Sequence, residues 1–432
     1  MGPATGREKL AWSFYDFANS GYTTVVLTTI FNAYFVGGVA AGAGLGSGTA
    51  TFLWTLAVAL GNGIVLLTAP VIGAVADHRA CKKQFLLIST TGCVLATALL
   101  GFADQDALAV ATALLVLSVV AFGTGEYLIA AFLPEIAAED EMGRMSGYGW
   151  GLGYFGGLLT LGLCLIWITW AQEHGLPATR FVPATLWITA TIFAVAALPT
   201  FVILRERAVP GSAADHPGAL IEGFSRVRDT LRHARGFQDL FRFLITLVIF
   251  QAGMSTVIVI AAIYAQEVLG FQSDELILII LVVNGTAAVG AFGMGHLQDR
   301  IGSARSLTLA LAIWILAIVL VLLADSRTAI WLPANLIGLA MGATQSAARA
   351  LIGRFTPISR TGEFFGLWGL AVHLATIIGP VTYGAISWMT AGNQRLALVS
   401  TLGFFIIGLL LLMTVDEQRG RAAALAANHR GN

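Results

Sequence analysis

Charged residues are scarce in this 432-residue chain. They make up 11% of the sequence, whereas a typical soluble domain carries about 25%. Hydrophobic residues reach 57%, and the mean hydropathy is +0.81. These values exclude a soluble globular protein and predict an integral membrane protein. Basic and acidic residues balance to a net charge of zero, so no nucleic-acid partner is expected.

Cysteine and histidine are also few. Cys81, Cys93 and Cys164 have no paired spacing and no histidine cluster near them, which excludes a disulfide framework and a zinc site of the usual kind. His373 is the one histidine inside an apolar segment, and no partner for it is evident from the sequence. An intramembrane enzyme is therefore disfavoured, and no cofactor is expected.

Long apolar segments are abundant, and twelve of them have the length of a membrane-spanning helix. The fold class predicted is an all-α membrane protein with two pseudo-symmetric six-helix bundles, because helices satisfy their own backbone in lipid. The predicted domains are an N-terminal bundle (1–204), a cytosolic linker with an amphipathic helix (205–240), a C-terminal bundle (241–416) and a cytosolic tail (417–432).

The amphipathic helix of the linker rests on Leu220, Phe224, Val227 and Leu231, which recur at helical spacing opposite several arginines. We expect it to lie on the membrane surface, although a docking site for a cytosolic partner fits the same pattern. Most other basic residues fall in loops on the side of the amino terminus. This bias predicts that both termini are cytosolic.

The first apolar segment contains a polar stripe. Asp16, Asn19, Ser20 and Thr23 fall within about a third of the helix circumference at 100° per residue. A carboxylate in a spanning helix costs about 2.5–3.5 kcal/mol on insertion scales, so it usually faces a bundle interior or a watery cavity. The alternative is that Asp16 reaches the headgroups from the cytosolic end.

The fourth segment carries Glu126 and Tyr127 about two turns before its cytosolic end. A buried glutamate without a cation can become a proton carrier near neutral pH. It can equally stay neutral and hydrogen-bonded to its neighbours.

The tenth segment has its own polar stripe. Its members fall within about 100° of one another and are Asn335, Gly338, Gly342, Gln345, Ser346 and Arg349. Small residues of this kind usually form a packing seam. Arg349 could snorkel to the surface, pair with Asp16 or Glu126, or clamp a substrate carboxylate.

A short motif occurs twice, after the second and the eighth segment. Gly73 and Asp77 precede Arg79, and Gly295 and Asp299 precede Arg300. Such a repeat in two six-helix halves is typical of transporters that rock about a central site. The alternative interpretation of each copy is a solvated charged turn.

This placement closely resembles the loop signature of the major facilitator superfamily. The resemblance implies that each aspartate caps a helix of the other half. Asp77 would meet the start of helix 11 near Glu363–Phe364, and Asp299 the start of helix 5 near Ser146. It also implies a cavity lined by helices 1, 4, 7 and 10, which adds Gln251 and Ser255 of helix 7 to the candidate binding residues.

Further motifs narrow the resemblance to one branch. Residues 15–20, 131–136, 143–157 and 363–366 resemble bacterial permeases related to the autophagy-linked vacuolar amino-acid effluxers of fungi. This similarity implies a bacterial cytoplasmic membrane. Relatives typically carry Asn-Asp-Gly in helix 7, whereas this chain has Gln251, Ala252 and Gly253.

These observations predict a secondary transporter that moves a small polar solute, such as an amino acid, another zwitterion or a carboxylate, by alternating access. Proton coupling through Asp16 or Glu126 fits the pattern. A passive uniporter is one alternative, favoured by the missing carboxylate at Ala252. A non-transporting sensor or assembly factor is the other. The expected partners are the solute, protons and lipids, and the expected state is a monomer.

Overall fold

A computed structural model describes residues 4–103, 107–207, 228, 234–269, 273–391 and 393–430. The long helices of this described part are α1 (Gly6–Ala40), α2 (Ser47–Arg79), α3 (Lys82–Leu100), α4 (Leu108–Ala130), α5 (Met142–Glu173), α6 (Ala178–Ile203), α7 (Gln238–Leu269), α8 (Ser273–Ile301), α9 (Ser303–Leu323), α10 (Trp331–Arg354), α11 (Thr361–Met389), α12 (Gln394–Leu412) and α13 (Glu417–Arg430). A short helix, Leu133–Ile136, follows α4, and 3₁₀ turns lie at Ala234–Phe237 and Ile358–Arg360.

Within the described residues, eleven helices are long and apolar enough to cross a membrane. The remaining helix of that length is α10, whose 24 residues span about 36 Å at 1.5 Å per residue. The polar stripe of α10 lowers its mean hydropathy, but the helix is still long enough to cross a membrane. The amphipathic helix predicted around Leu220 and Leu231 lies outside the described residues.

Helices α1–α6 pack as one bundle and α7–α12 as the other, and the bundles meet where α5 crosses α8 and α2 crosses α11. Glycines allow both crossings. A Cβ added at Gly147 would lie 2.6 Å from the Ala291 carbonyl oxygen, and one at Gly73 would overlap the Gly362 carbonyl. Only glycine permits backbones to approach this closely.

Helix α1 is not regular along its length. It widens into π-helical turns at Thr23–Thr29 and Phe35–Ala40. The hydroxyl groups of Thr24, Thr28 and Thr29 donate to carbonyl groups one turn earlier on the same helix. These side chains therefore satisfy carbonyls whose ordinary helical bonds the wide turns disturb.

We call the end of the molecule at which the odd-numbered helices α1–α11 begin the basic face. Two carboxylates occupy equivalent places there. Glu206, after α6, accepts hydrogen bonds from the amides of Lys82 (2.7 Å) and Lys83 (3.1 Å) at the start of α3. Glu417, after α12, accepts from Ser303 (3.1 Å) and Ala304 (2.9 Å) at the start of α9. An anion at a helix amino terminus is stabilising, so each bundle ends by capping its own third helix.

The tail helix α13 is anchored by the same carboxylate, because Glu417 also pairs with Arg354 at 2.6 Å. Burial raises the pKa of Glu417, but the amide hydrogen bonds and the Arg354 guanidinium outweigh it, so the pKa lies below its ordinary value of 4.5. Since the carboxylate is favoured in the folded state, its stabilisation is complete above that ordinary value. The stabilisation is lost as the pH falls through the lowered pKa.

We expect Glu417→Gln to destabilise the protein at pH 7 by about 1 kcal/mol, because the amide retains no charge for the helix terminus or for Arg354. The difference in melting temperature from the native protein should shrink below about pH 4.5. Intrinsic tryptophan fluorescence during heating in detergent measures both quantities. A difference that stays constant from pH 7.5 to 3.5 would contradict the role of the charge.

Glu206→Gln is the matched control, since burial raises the pKa of Glu206 despite its two amide hydrogen bonds. For a carboxyl group with a raised pKa, the contribution to stability falls as the pH rises. The two variants should therefore show opposite trends with pH.

Candidate functional site

Contacts between the two bundles close the molecule at the basic face. The Asp77 carboxylate accepts hydrogen bonds from the amides of Gly362 and Glu363, both at 2.9 Å, at the start of α11. The Asp299 carboxylate accepts from the amides of Gly143 (2.8 Å) and Arg144 (2.9 Å) at the start of α5. The second contact lies nearly a turn before Ser146, because α5 begins at Met142.

The cations beside these aspartates are not the arginines that lie nearest to them in the motif. Arg79 and Arg300 are exposed, and neither forms an ion pair among the described residues. Asp77 instead lies 3.4 Å from the Lys82 ammonium, and Asp299 lies 3.5 Å from Arg354. Near Asp77 the cause is the helix itself. Because α2 continues through Arg79 before the chain turns, the Arg79 side chain extends into solvent and does not pair with Asp77.

Lys82 is fully buried and contacts several polar groups at once. Besides Asp77, it contacts the Glu135 carboxylate and donates to the Thr361 hydroxyl oxygen at 2.5 Å. Ala80 adopts the left-handed conformation (φ 49°) and turns the chain. As a result, the Lys82 side chain at the start of α3 reaches the start of α11. A buried ammonium is tolerable only when paired in this way.

An ion pair between the bundles lies farther from the basic face. Arg349 of α10 contacts Asp16 of α1 with 2.6 Å between Nη1 and Oδ2. The guanidinium also donates to the Ser146 carbonyl (2.9 Å) and to the Ser146 hydroxyl oxygen (3.2 Å). The indole rings of Trp12 and Trp150 lie 4.8 and 5.1 Å from its central carbon. Arg349 is thus 3% exposed and held by both bundles.

The glycines of α5 lie against two neighbouring helices, α8 and α1. Gly147 and Gly151 face α8, whereas Gly149 and Gly153 face α1. A Cβ at Gly149 would overlap Asp16 Oδ2 and Arg349 Nη2. The alternation therefore permits the close contact with α8 and also makes room for the ion pair.

Glu126 lies at the level of Asp16. The Trp12 indole, one turn before Asp16, donates to the Ile129 carbonyl at 2.7 Å, and the Tyr15 hydroxyl lies against Gly125. Glu126 is half-buried and has no hydrogen bond or ion pair among the described residues.

The other candidate residues differ in their burial and in their contacts. Asn19 and Ser255 are buried, and Gln251 is half-buried. The Ser20 hydroxyl donates to the Asp16 carbonyl at 2.7 Å, so it serves the helix backbone. Gln345 accepts from the Tyr154 hydroxyl of α5, a further contact between the bundles.

Two positions belong to helix contacts. Tyr127 is 1% exposed, and its side chain packs against Gly369 of α11 instead of joining Glu126 in the site. Ala252 is fully buried where α7 meets Gly379 of α11. An aspartate at Ala252 would therefore sit in a helix contact of the C-terminal bundle.

Four side chains of the site escaped the sequence reasoning, namely Trp12, Ser146, Trp150 and Tyr154. A signal existed for two of them. Trp150 and Tyr154 are four residues apart, so they share one face of α5 between its glycines.

Comparison with known proteins identifies the family. A family described as vacuole effluxer Atg22-like matches residues 4–425. The chain belongs to this family.

Relatives of this Atg22-like protein include an uncharacterized MFS-type transporter, YxiO, of Bacillus subtilis, which is 26% identical over 95% of both chains. Autophagy-related protein 22-1 of Aspergillus fumigatus is 24% identical over 70% of this chain and 54% of its own length. The chain thus spans about half of that fungal relative.

Solved structures share the fold. The human organic anion transporter MFSD10 has a TM-score of 0.74 at 16% identity and covers 94% of this chain and 99% of its own. The proton:xylose symporter XylE has a TM-score of 0.75 at 14% identity, over 98% of both chains. The family match, the relatives and the shared fold together make this Atg22-like protein an MFS-type transporter rather than an enzyme.

We expect Gly149→Ala to destabilise this transporter by about 1–3 kcal/mol, since the methyl group must displace Asp16 or Arg349. Thermal unfolding in detergent measures the loss. Gly162→Ala on the same helix is the matched control, because nothing lies within 4 Å of its added Cβ. The control should melt at or above the native temperature. Equal melting of both variants would show that α5 yields freely at the ion pair.

Proposed function

We propose that this transporter moves a small polar solute, an amino acid or a similar zwitterion or carboxylate, by alternating access. The observation that carries the proposal is the Asp16–Arg349 pair, which joins the two bundles at the closed end of the site. Rocking of the bundles must break this link, and a solute with complementary charge could replace one partner. The contacts of Asp77 and Asp299 hold the basic face shut in this state. Coupling to protons through Asp16 or Glu126 belongs to the same proposal.

We further propose that the basic face is cytosolic and that the membrane is the bacterial cytoplasmic membrane. The support is the excess of lysine and arginine in the loops of this face. In a variant with Cys81, Cys93 and Cys164 replaced by alanine, Ser212→Cys should resist a membrane-impermeant maleimide in intact cells. Ser326→Cys should react. The reverse pattern would invert the orientation of the whole molecule.

The function itself is tested by uptake into proteoliposomes. Amino acids, short peptides and organic acids are first screened by thermal shift, where a ligand at about 100 times its dissociation constant stabilises by roughly 2.7 kcal/mol. For a solute with a carboxylate, Arg349→Lys should lower uptake at least about tenfold, because lysine keeps the charge but loses the bidentate fork. Normal uptake by this variant would move the site chemistry to Asn19, Gln251 and Gln345.

Asp77→Asn provides the contrast, since Asp77 is far from the solute in this proposal. It should slow transport while leaving the thermal shift by the solute unchanged. If no solute in the panel stabilises or crosses, the alternative of a non-transporting sensor on this fold is favoured.

A further inference from the structure

The direction in which Glu126 points follows from its neighbours on α4. Ser118 and Gly125 contact α1, through the Tyr22 hydroxyl at 2.7 Å and through Tyr15. Gly123 and Tyr127 contact α11 on another side of the helix. At about 100° per residue, the Glu126 side chain leaves α4 midway between these two directions. It therefore points between a helix of one bundle and a helix of the other, where the bundles enclose the site.

The charges at this level do not balance. Asp16 and Arg349 neutralise one another, and the guanidinium also donates two hydrogen bonds to Ser146. Glu126 is left as a carboxylate without a counter-charge among the described residues. The nearest titratable ring of α11 is His373, and a Cβ at Gly123 would lie 3.2 Å from its Nε2 atom.

A half-buried carboxylate without a cation is unfavourable unless something neutralises it. The candidate residues Asn19, Gln251 and Gln345 carry no charge that could neutralise it. An anionic solute would face repulsion from both Glu126 and Asp16, and would first have to separate Asp16 from Arg349. A solute that brings a positive charge meets neither obstacle.

We infer that Glu126 binds a primary ammonium group of the transported solute, so that the substrate class is amines and amino acids rather than simple carboxylic acids. The inference rests on the proposed function and names its substrate class. An ammonium group offers three donors and a full charge to the carboxylate, which makes a strong charge-assisted hydrogen bond. The carboxylate of an amino acid would then engage Arg349 only when the Asp16 link opens.

The test uses three carbon skeletons, each as zwitterion, amine and acid. These are alanine, ethylamine and propionate; leucine, isoamylamine and 4-methylpentanoate; and phenylalanine, phenethylamine and 3-phenylpropanoate. Binding to the full-length protein in nanodiscs is measured by thermal shift at pH 7. In at least one skeleton, the zwitterion and the amine should bind while the acid fails to. Glu126→Gln should weaken binding of the amine at least about tenfold.

Glu141→Gln is the control, because this carboxylate lies on the basic face and pairs with Lys9 and Arg144. Its binding of the zwitterion, the amine and the acid should match that of the native protein in each case. Glu126→Asp should retain part of the affinity for the amine. The inference is overturned if an acid binds as tightly as its zwitterion, if no amine binds, or if Glu126→Gln leaves amine binding intact. The last result, together with loss of proton-driven uptake, would make Glu126 a proton site only.

Transport separates this inference from the function it rests on. Amine binding that depends on Glu126, without counterflow in proteoliposomes, would refute transport and retain the ammonium site. Uptake of an amine-free solute that Glu126→Gln does not alter would retain transport and refute the ammonium site.

Discussion

A charge inside a membrane protein is costly unless an opposite charge compensates it, and one ion pair between the two bundles does this here. Asp16 and Arg349 come from helices that are distant in the chain. Each would be costly alone in an apolar span, and pairing offsets that cost. The surrounding features depend on this pair: Gly149 makes room for it, Ser146 accepts two hydrogen bonds from the guanidinium, and two indole rings lie close to that group.

The same rule is applied at the basic face, where carboxylates meet helix amino termini. Asp77 and Asp299 cap helices of the opposite bundle, whereas Glu206 and Glu417 cap helices of their own. The first kind of contact breaks when the bundles separate, and the second kind does not. Each bundle can therefore remain folded while the contacts between bundles change, which alternating access requires.

Much of the fold could be predicted from the sequence. Composition, the length of the apolar segments and the two Gly-x-x-x-Asp motifs were sufficient for a membrane protein of the major facilitator fold. The candidate site was harder. Arg79 and Arg300 follow the aspartates within two residues, yet Lys82 and Arg354 are the cations beside them, because helix direction rather than sequence proximity decides where a side chain lies.

By itself, the sequence predicted twelve segments of membrane-spanning length, polar residues on α1, α4 and α10, and one basic face. These properties depend on hydropathy and helical periodicity, which are local. Only the tertiary structure decided that Arg349 pairs with Asp16, that Glu126 has no partner among the described residues, and that Tyr127 and Ala252 belong to helix contacts. These outcomes depend on which helices pack together and at what depth in the molecule. No local pattern in the chain encodes either property.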